Sequence, residues 1–210
     1  MENDKIISII VPVYNEEKNI PVFFEKIKEV MDKIAYGWEI IFINDGSVDG
    51  TLLELEKIAK LSDKVRIIDF SRNFGKEMAT TAGVNNCRGD VCVMLDADLQ
   101  HPIEKIPEFV SKWENGAEVV IGIRNKNKGE GAVKKIGSYF FYKIINRITD
   151  SKMVPNNTDF RLLDRVVIDE FNRLSEKNRM TRALIDWLGF RREFIYFQAN
   201  ERMHGKAGYS

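Results

Sequence analysis

Four short apolar runs, each followed by a stretch of helical period, and a fifth run behind them constrain this chain more than any other feature. Ile6 to Val13 is continuous and rich in β-branched residues, with Pro12 marking its exit. From Glu16 to Ile34 the apolar residues Ile20, Phe23, Phe24, Ile27, Val30, Met31 and Ile34 recur at helical spacing. The alternation then repeats. Strands are expected over Trp38–Ile43, Val65–Phe70, Asp90–Leu95 and Ala117–Ile123, with helices over Gly50–Leu61, Lys76–Asn86 and Glu104–Trp113 between them. Strands that are apolar throughout are buried on both faces. The order therefore predicts an α/β fold, Rossmann-like, with a mostly parallel central sheet and helices on both faces. No Pro- or Ser-rich linker divides the 210 residues, so one domain is expected.

In open α/β sheets, ligands bind beyond the carboxyl ends of the strands. Three polar clusters fall at such ends. The first, Pro12-Val-Tyr-Asn-Glu16, offers a stiff exit, a flat ring at Tyr14 and hydrogen-bonding groups at Asn15 and Glu16, which suit a nucleobase. Asn15 also fits as a cap for the helix that follows. The second, Asn44-Asp-Gly-Ser-Val-Asp-Gly50, is a tight turn in which Asp45 can accept bonds from a base or ribose and Asp49 reads as a helix N-cap. The third is Asp96-Ala-Asp-Leu-Gln100. Asp96 and Asp98 are alternate residues at a strand exit and would repel each other unless a cation lay between them. A hard divalent ion, Mg²⁺ or Mn²⁺, suits oxygen ligands and commonly binds substrate phosphates as well. A merely solvated acidic turn is the competing reading.

Composition narrows the classes. Lys plus Arg and Asp plus Glu both number 32, so global charge gives no case for nucleic acid. Cys87 and Cys92 have no second Cys/His pair nearby to complete a metal site and read as reduced, partly buried thiols. The start of the chain lacks the apolar core of a signal peptide, and no run of 18 apolar residues is long enough to span a bilayer. Neither a P-loop pattern nor a GxGxxG follows the first strand, which disfavours a P-loop NTPase and a dinucleotide oxidoreductase. From Arg124 to Arg147 the character changes, with seven cations against one acid, Glu130. Arg124, Lys134 and Lys135 lie where they could cover bound phosphates. Residues 132–148 mix aromatic and basic side chains in a way that suits either a membrane interface or packing against the sheet. His101 and His204 have no evident partner and read as packing or surface residues.

Six motifs occur in order: Pro12-Val-Tyr-Asn-Glu16, Asp45-Gly-Ser-Val-Asp49-Gly-Thr, Arg72-Asn-Phe-Gly-Lys76, Asp96-Ala-Asp-Leu-Gln-His-Pro102, Asp159-Phe-Arg-Leu-Leu163 and Trp187-Leu-Gly-Phe-Arg191. Together they closely resemble the family 2 inverting glycosyltransferases, in particular the polyprenyl-phosphate type akin to dolichyl-phosphate mannose synthases and bactoprenol glucosyltransferases. The resemblance implies a GT-A fold, with residues 1–123 as a nucleotide- and metal-binding half and 124–210 as an acceptor half. It implies nucleotide contacts at Pro12, Tyr14, Asn15, Glu16 and Asp45. It places Mg²⁺ or Mn²⁺ and the diphosphate at Asp96, Asp98 and Gln100, and an acidic residue at the acceptor in Asp159. Lys76, Arg124, Lys134, Ser138 and Arg202 would grip substrate. Arg202 and Tyr209 match a C-terminal pattern, from which Gly205-Lys-Ala-Gly-Tyr209 departs by lacking its usual Ser-Lys pair.

The activity so implied is transfer of a hexose from a nucleotide diphosphate sugar to a polyprenyl phosphate. UDP-glucose is favoured and GDP-mannose comes next. A cation at the acidic pair would stabilise the departing diphosphate. Asp159 would serve as base for a hydroxyl acceptor, or as an orienting charge for a phosphate, which needs little deprotonation. The expected setting is the cytoplasmic face of a membrane, with membrane segments beyond Ser210 and self-association left open. A family 2 enzyme acting on a hydroxyl of a soluble or polysaccharide acceptor is the alternative, and a non-catalytic nucleotide-sugar binder is a third reading.

Overall fold

A computed structural model describes residues 4–125, 157–175 and 180–201. Its core is one seven-stranded sheet in the order β3-β2-β1-β4-β6-β5-β7. The strands are β1 (Ile6–Val13), β2 (Gly37–Asn44), β3 (Val65–Asp69), β4 (Val91–Met94), β5 (Val119–Arg124), β6 (Asn157–Asp164) and β7 (Arg192–Phe197). The helices are α1 (Ile20–Met31), α2 (Thr51–Leu61), α3 (Lys76–Asn86), α4 (Ile106–Glu114), α5 (Arg165–Arg173) and α6 (Thr181–Trp187).

Side-chain alternation along the strands explains the two helical layers. Ile7, Ile9, Val11 and Val13 of β1 face a core shared with Phe23 and Ile27 of α1, Leu55 of α2 and Phe109 of α4. Ile10, Ile41 and Ile43 face the other way, toward Ala79 and Val84 of α3, Val167 and Phe171 of α5 and Ile185 of α6. Both faces are thus covered, which is why these strands read as unbroken apolar runs. All five expected strands are present. The first helix is shorter than its periodicity implied, because residues 16–19 are used in the turn that leads into it.

The chief departure from the sequence reading is β6. It runs antiparallel to both of its neighbours, β4 and β5, while the other adjacent pairs are parallel. Its register pairs Val91 with Asp164 and Met94 with Arg161. Continued beyond Met94, the same register sets Asp96 opposite Asp159. Reversal of a single strand thereby brings a residue from late in the chain to the rim where β1, β2 and β4 end.

Close packing of α3 on β1 requires Gly83. A Cβ there would lie 2.3 Å from Ile10 Cγ2 and 2.9 Å from Ile43 Cδ1. Gly83→Ala is expected to lower stability despite the better helix propensity of alanine. Overpacking costs about 1–3 kcal/mol, against a propensity gain of about 1 kcal/mol. Urea titration should show a lower midpoint for the variant, and an unchanged or higher midpoint would refute the close contact.

Candidate active site

The rim is built from turns locked by their own polar groups. At the exit of β1, Asn15 adopts a left-handed backbone (φ 56°), a conformation asparagine tolerates better than most residues. Its N–H donates to Ser47 Oγ at 2.9 Å, and its Oδ1 accepts from the Val48 N–H at 2.9 Å. Glu16 N–H donates to Thr51 Oγ1 at 2.8 Å. Asn15 therefore does not cap α1, whose N-cap position is Asn19; it ties the β1 exit to the β2 exit. Asp49 serves α2 from one position before the formal cap, Gly50, since its Oδ1 accepts from the Thr51 N–H at 3.0 Å. Pro12 is buried, whereas Tyr14 and Glu16 are half-buried at the rim.

Asp45 is fully buried. Its Oδ1 accepts from the Phe74 N–H at 2.7 Å and its Oδ2 from the Gly75 N–H at 3.0 Å. The following turn leaves no room for a side chain. Gly46 has φ +65°, and a Cβ on it would lie 2.2 Å from the Arg72 carbonyl carbon. Asp45 thus anchors the loop that precedes α3, and the first residue of α3 is Lys76.

At the exit of β4, Asp98 is 5% exposed and folds back on its own turn, with Oδ1 accepting from the Gln100 N–H at 3.0 Å. Leu99 holds φ 62°, a left-handed conformation that is strained for a bulky residue. Asn200, just past β7, secures the turn by donating its N–H to the Gln100 carbonyl at 3.1 Å and its amide to the Leu99 carbonyl at 3.3 Å. His101 is buried, with its ring stacked on Phe160 at 5.3 Å between centroids. Its Nδ1 accepts from the Asp96 N–H at 3.3 Å. Burial pushes the imidazole below its ordinary value, against the pull of Asp96. We therefore treat the 3.9 Å approach of Nδ1 to the Asp96 carboxylate as a contact of neutral histidine rather than as an ion pair. His101 is a packing residue, as the sequence implied.

The centre of the rim is an ion cluster. Lys76 Nζ lies 2.6 Å from Asp96 Oδ1 and 2.7 Å from Asp159 Oδ2. Arg182 Nε of α6 lies 3.1 Å from Asp159 Oδ1. Burial opposes the charge on Lys76, but the two carboxylates outweigh it and hold the ammonium well above its ordinary value. Burial likewise opposes the charge on Asp159, and Lys76 and Arg182 outweigh it, holding that carboxyl below its ordinary value. Asp96 pairs with Lys76, and Asp98 accepts from the Gln100 N–H of its own turn. Among the described residues no three His, Cys, Asp or Glu side chains gather tightly enough to hold a metal.

Two residues that the sequence reading did not single out support the cluster. Arg161 is completely buried on β6, two residues after Asp159, and its Nη1 lies 3.1 Å from Asp186 Oδ1 on α6. Its Nε also donates to the Thr158 carbonyl at 3.2 Å. This pair fixes α6 against β6, and α6 carries Arg182. The one available signal was Arg161 itself, a charge inside an otherwise apolar run; Arg182 and Asp186 carried none. Arg124 is exposed at the end of β5. Lys134, Ser138, Arg202, Tyr209 and the basic aromatic stretch 132–148 lie outside the described residues.

The mostly parallel sheet gathers acids, cations and backbone-locked turns at its carboxyl rim, and the comparisons specify the class. The Glycosyl transferase family 2 model matches residues 8–171. The chain belongs to that family. It is 44% identical over 202 residues to the uncharacterized glycosyltransferase YkcC of Bacillus subtilis, covering 96% of this chain and 62% of the relative. It is 37% identical over 199 residues to the prophage bactoprenol glucosyl transferase homolog of Escherichia coli, covering 95% and 65%. The chain thus spans about three fifths of the length of the curated relatives it matches. Among solved structures, the mannosyltransferase PcManGT of Pyrobaculum calidifontis, in complex with GDP-Man and Mn²⁺, superposes with a TM-score of 0.64 at 19% identity, over 98% of this chain and 59% of that one. Glucosyl-3-phosphoglycerate synthase of Mycobacterium tuberculosis, with Mn²⁺, UDP-glucose and phosphoglyceric acid, gives 0.60 at 18% identity, over 96% and 73%. These likenesses show the fold, which is of the GT-A type.

The Arg161–Asp186 pair gives a stability test. Asp186→Ala strands a buried guanidinium, and breaking such a pair from one side costs about 3–5 kcal/mol. Chemical denaturation should report a loss of that size, and a loss below about 1 kcal/mol would mean that the pair does not fix α6.

Proposed function

We propose that this chain is the catalytic unit of an inverting hexosyltransferase that moves a sugar from a nucleotide diphosphate donor to a polyprenyl phosphate. UDP-glucose is the favoured donor and GDP-mannose the next. The observation that carries the acceptor class is the clamp on Asp159. A carboxylate held between an ammonium and a guanidinium, and kept below its ordinary value, is a weak proton acceptor. A sugar hydroxyl would need a stronger base. A lipid phosphate, with its second ionisation at about pH 6, arrives already able to attack.

In this reading the acceptor phosphate oxygen attacks the anomeric carbon from the face opposite the donor diphosphate. The new carbon–oxygen bond forms as the bond to the diphosphate breaks, and the nucleoside diphosphate departs with the bonding pair. Two anionic groups must approach each other for this to happen. Arg182 and Lys76 supply the compensating charge, and Asp159 positions both cations before the substrates bind. Proximity and charge compensation then account for most of the rate. Met78 and Met180 are 43% and 58% exposed. They flank the hydrogen bond from the Thr181 N–H to Glu77 Oε2 (2.7 Å). An apolar margin beside Arg182 suits an acceptor with an anionic head and a hydrocarbon tail.

The donor set at the β4 exit fits a hard divalent ion. Asp96, Asp98 and Gln100 offer carboxylate and amide oxygens and no soft ligand, and Mg²⁺ is commonly held by one or two carboxylates with substrate phosphates completing the shell. When bound, Mg²⁺ or Mn²⁺ supplies Lewis-acid stabilisation of the leaving diphosphate. Relatives named bactoprenol glucosyl transferase in Shigella phages SfV and SfX, both 38% identical to this chain, support the same acceptor and sugar. Among the described residues no helix is long and apolar enough to cross a membrane. Contact with the cytoplasmic face of a membrane through residues 132–148 belongs to this proposal too.

Asp98→Ala should lower turnover by about two orders of magnitude or more, the scale of losing one electrostatic stabiliser. Near-normal glucosyl transfer to polyprenyl phosphate in that variant would defeat the metal assignment. The pH profile tests Asp159. Its folded-state value lies below the ordinary 3.8, so it stays ionised throughout the range from pH 5 to 8. Any rising limb there should belong to the acceptor phosphate and keep its position in Asp159→Asn, which changes only the height of the curve. A limb that vanishes in the variant would identify Asp159 as a base and favour a hydroxyl acceptor.

A further inference from the structure

Lys76 sits where a metal-binding carboxylate would be expected to be open. Its Nζ lies 2.6 Å from Asp96 Oδ1 and, at 2.7 Å, also binds Asp159 Oδ2. The side chain is 23% exposed and the two carboxylates are each 26% exposed, so the contacts are only partly screened by water. The ammonium is not held by chance. Asp45 accepts from the N–H groups of both Phe74 and Gly75, Gly75 turns the chain at φ +94°, and Lys76 follows as the first residue of α3. The sheet register brings Asp159 to the same point from the opposite direction.

We propose that Lys76 is an internal cation that occupies Asp96 until the donor arrives, and thereby makes divalent-metal binding depend on the nucleotide. The inference rests on the assignment of the metal to Asp96, Asp98 and Gln100. A divalent ion on Asp96 would stand close to the Lys76 ammonium, and like charges at such separations repel strongly where solvent screening is incomplete. The metal alone must therefore displace Lys76 or bind through Asp98 and Gln100 without Asp96. A nucleoside diphosphate changes the balance. Its phosphates give Lys76 an alternative anionic partner and give the metal additional oxygen ligands. Lys76 then moves from carboxylate to phosphate, Asp96 is released, and metal and nucleotide enter as a coupled pair. Such coupling is reciprocal, so the metal tightens nucleotide binding by the same factor.

The test measures metal binding rather than turnover. Mn²⁺ would be titrated into the wild type, K76Q and the double variant K76Q/D159N, without nucleotide and with UDP, with free Mn²⁺ followed by electron paramagnetic resonance. The double variant removes one positive and one negative charge. It leaves the net charge of the cluster unchanged, and no unpaired acid faces Asp96 if K76Q alone fails to fold. Without UDP, both variants should bind Mn²⁺ about tenfold or more tightly than the wild type, and with UDP the difference should shrink to a few-fold. If the wild type binds Mn²⁺ with UDP but K76Q/D159N binds it no more tightly than the wild type without UDP, Lys76 does not guard Asp96. If no protein binds Mn²⁺ even with UDP, the metal assignment itself fails, and this inference falls with it.

Discussion

The reversed strand β6 is the constraint on which the rest of the rim depends. A purely parallel sheet would gather strand ends at that edge, those of β1, β2 and β4 among them, and would carry the start of β6, with Asp159, to the opposite edge. By running antiparallel between β4 and β5, β6 presents its beginning, not its end, at that edge. Asp159 thus meets Asp96, and Phe160 turns inward to pack against His101, Phe109 and Phe197. The stack holds the β4 exit and the β6 start together from beneath, while Lys76 bridges them from above.

The two halves of the rim are held by different physics. The turns at the exits of β1, β2 and β4 are fixed by side chains that accept backbone N–H groups: Asn15 from Val48, Asp45 from Phe74 and Gly75, Asp98 from Gln100. Such bonds set loop shape. The side that faces Asp159 is held by charge pairs among Lys76, Asp159, Arg182, Arg161 and Asp186. Charges respond to the arrival of other charges. For Lys76, Asp159 and Arg161, burial works against the charge and the opposite charges beside each work for it. The balance is positive for Lys76 and Asp159, whereas for Arg161 burial keeps the upper hand. Arg161 is the residue farthest from solvent and the one with a purely supporting position.

This division explains what could be read from the residues alone. Runs such as Ile6–Val13 and Trp38–Ile43 announced their strands because both faces are buried and no polar residue interrupts them. The acidic pair at the end of β4 stood out for the same reason, as an abrupt change at a strand exit. β6 was hidden because Asp159 and Arg161 break its apolar pattern, and β7 because it is short and partly exposed on alternate residues. Asp159 was reached through a family resemblance and not through periodicity. Its partner Arg182 lies on a seven-residue helix with no cap or strong apolar stripe to mark it. The resemblance named Lys76 as a substrate contact, but its pairing with Asp96 and Asp159 was invisible for a topological reason. A lysine opening a helix looks like any solvated charge until strand order shows which two acids it stands between.

In the proposed reaction, a rim built this way would separate donor recognition from acceptor recognition within one sheet. The locked turns would keep one shape for the donor. The charge cluster needs to accept a second anion beside the first, and to do so it must be neutral enough when empty and cationic enough when the donor is in place. Lys76 meets both demands from a single position. Paired with Asp96 and Asp159 it leaves little net charge to attract stray ions; transferred to a diphosphate as proposed, it would leave Asp159 paired with Arg182 among the described residues. Arg182 would then be free to meet an acceptor anion, on a helix held by the buried Arg161–Asp186 pair. In the proposed reaction, donor and acceptor thus engage different cations of one cluster, Lys76 and Arg182.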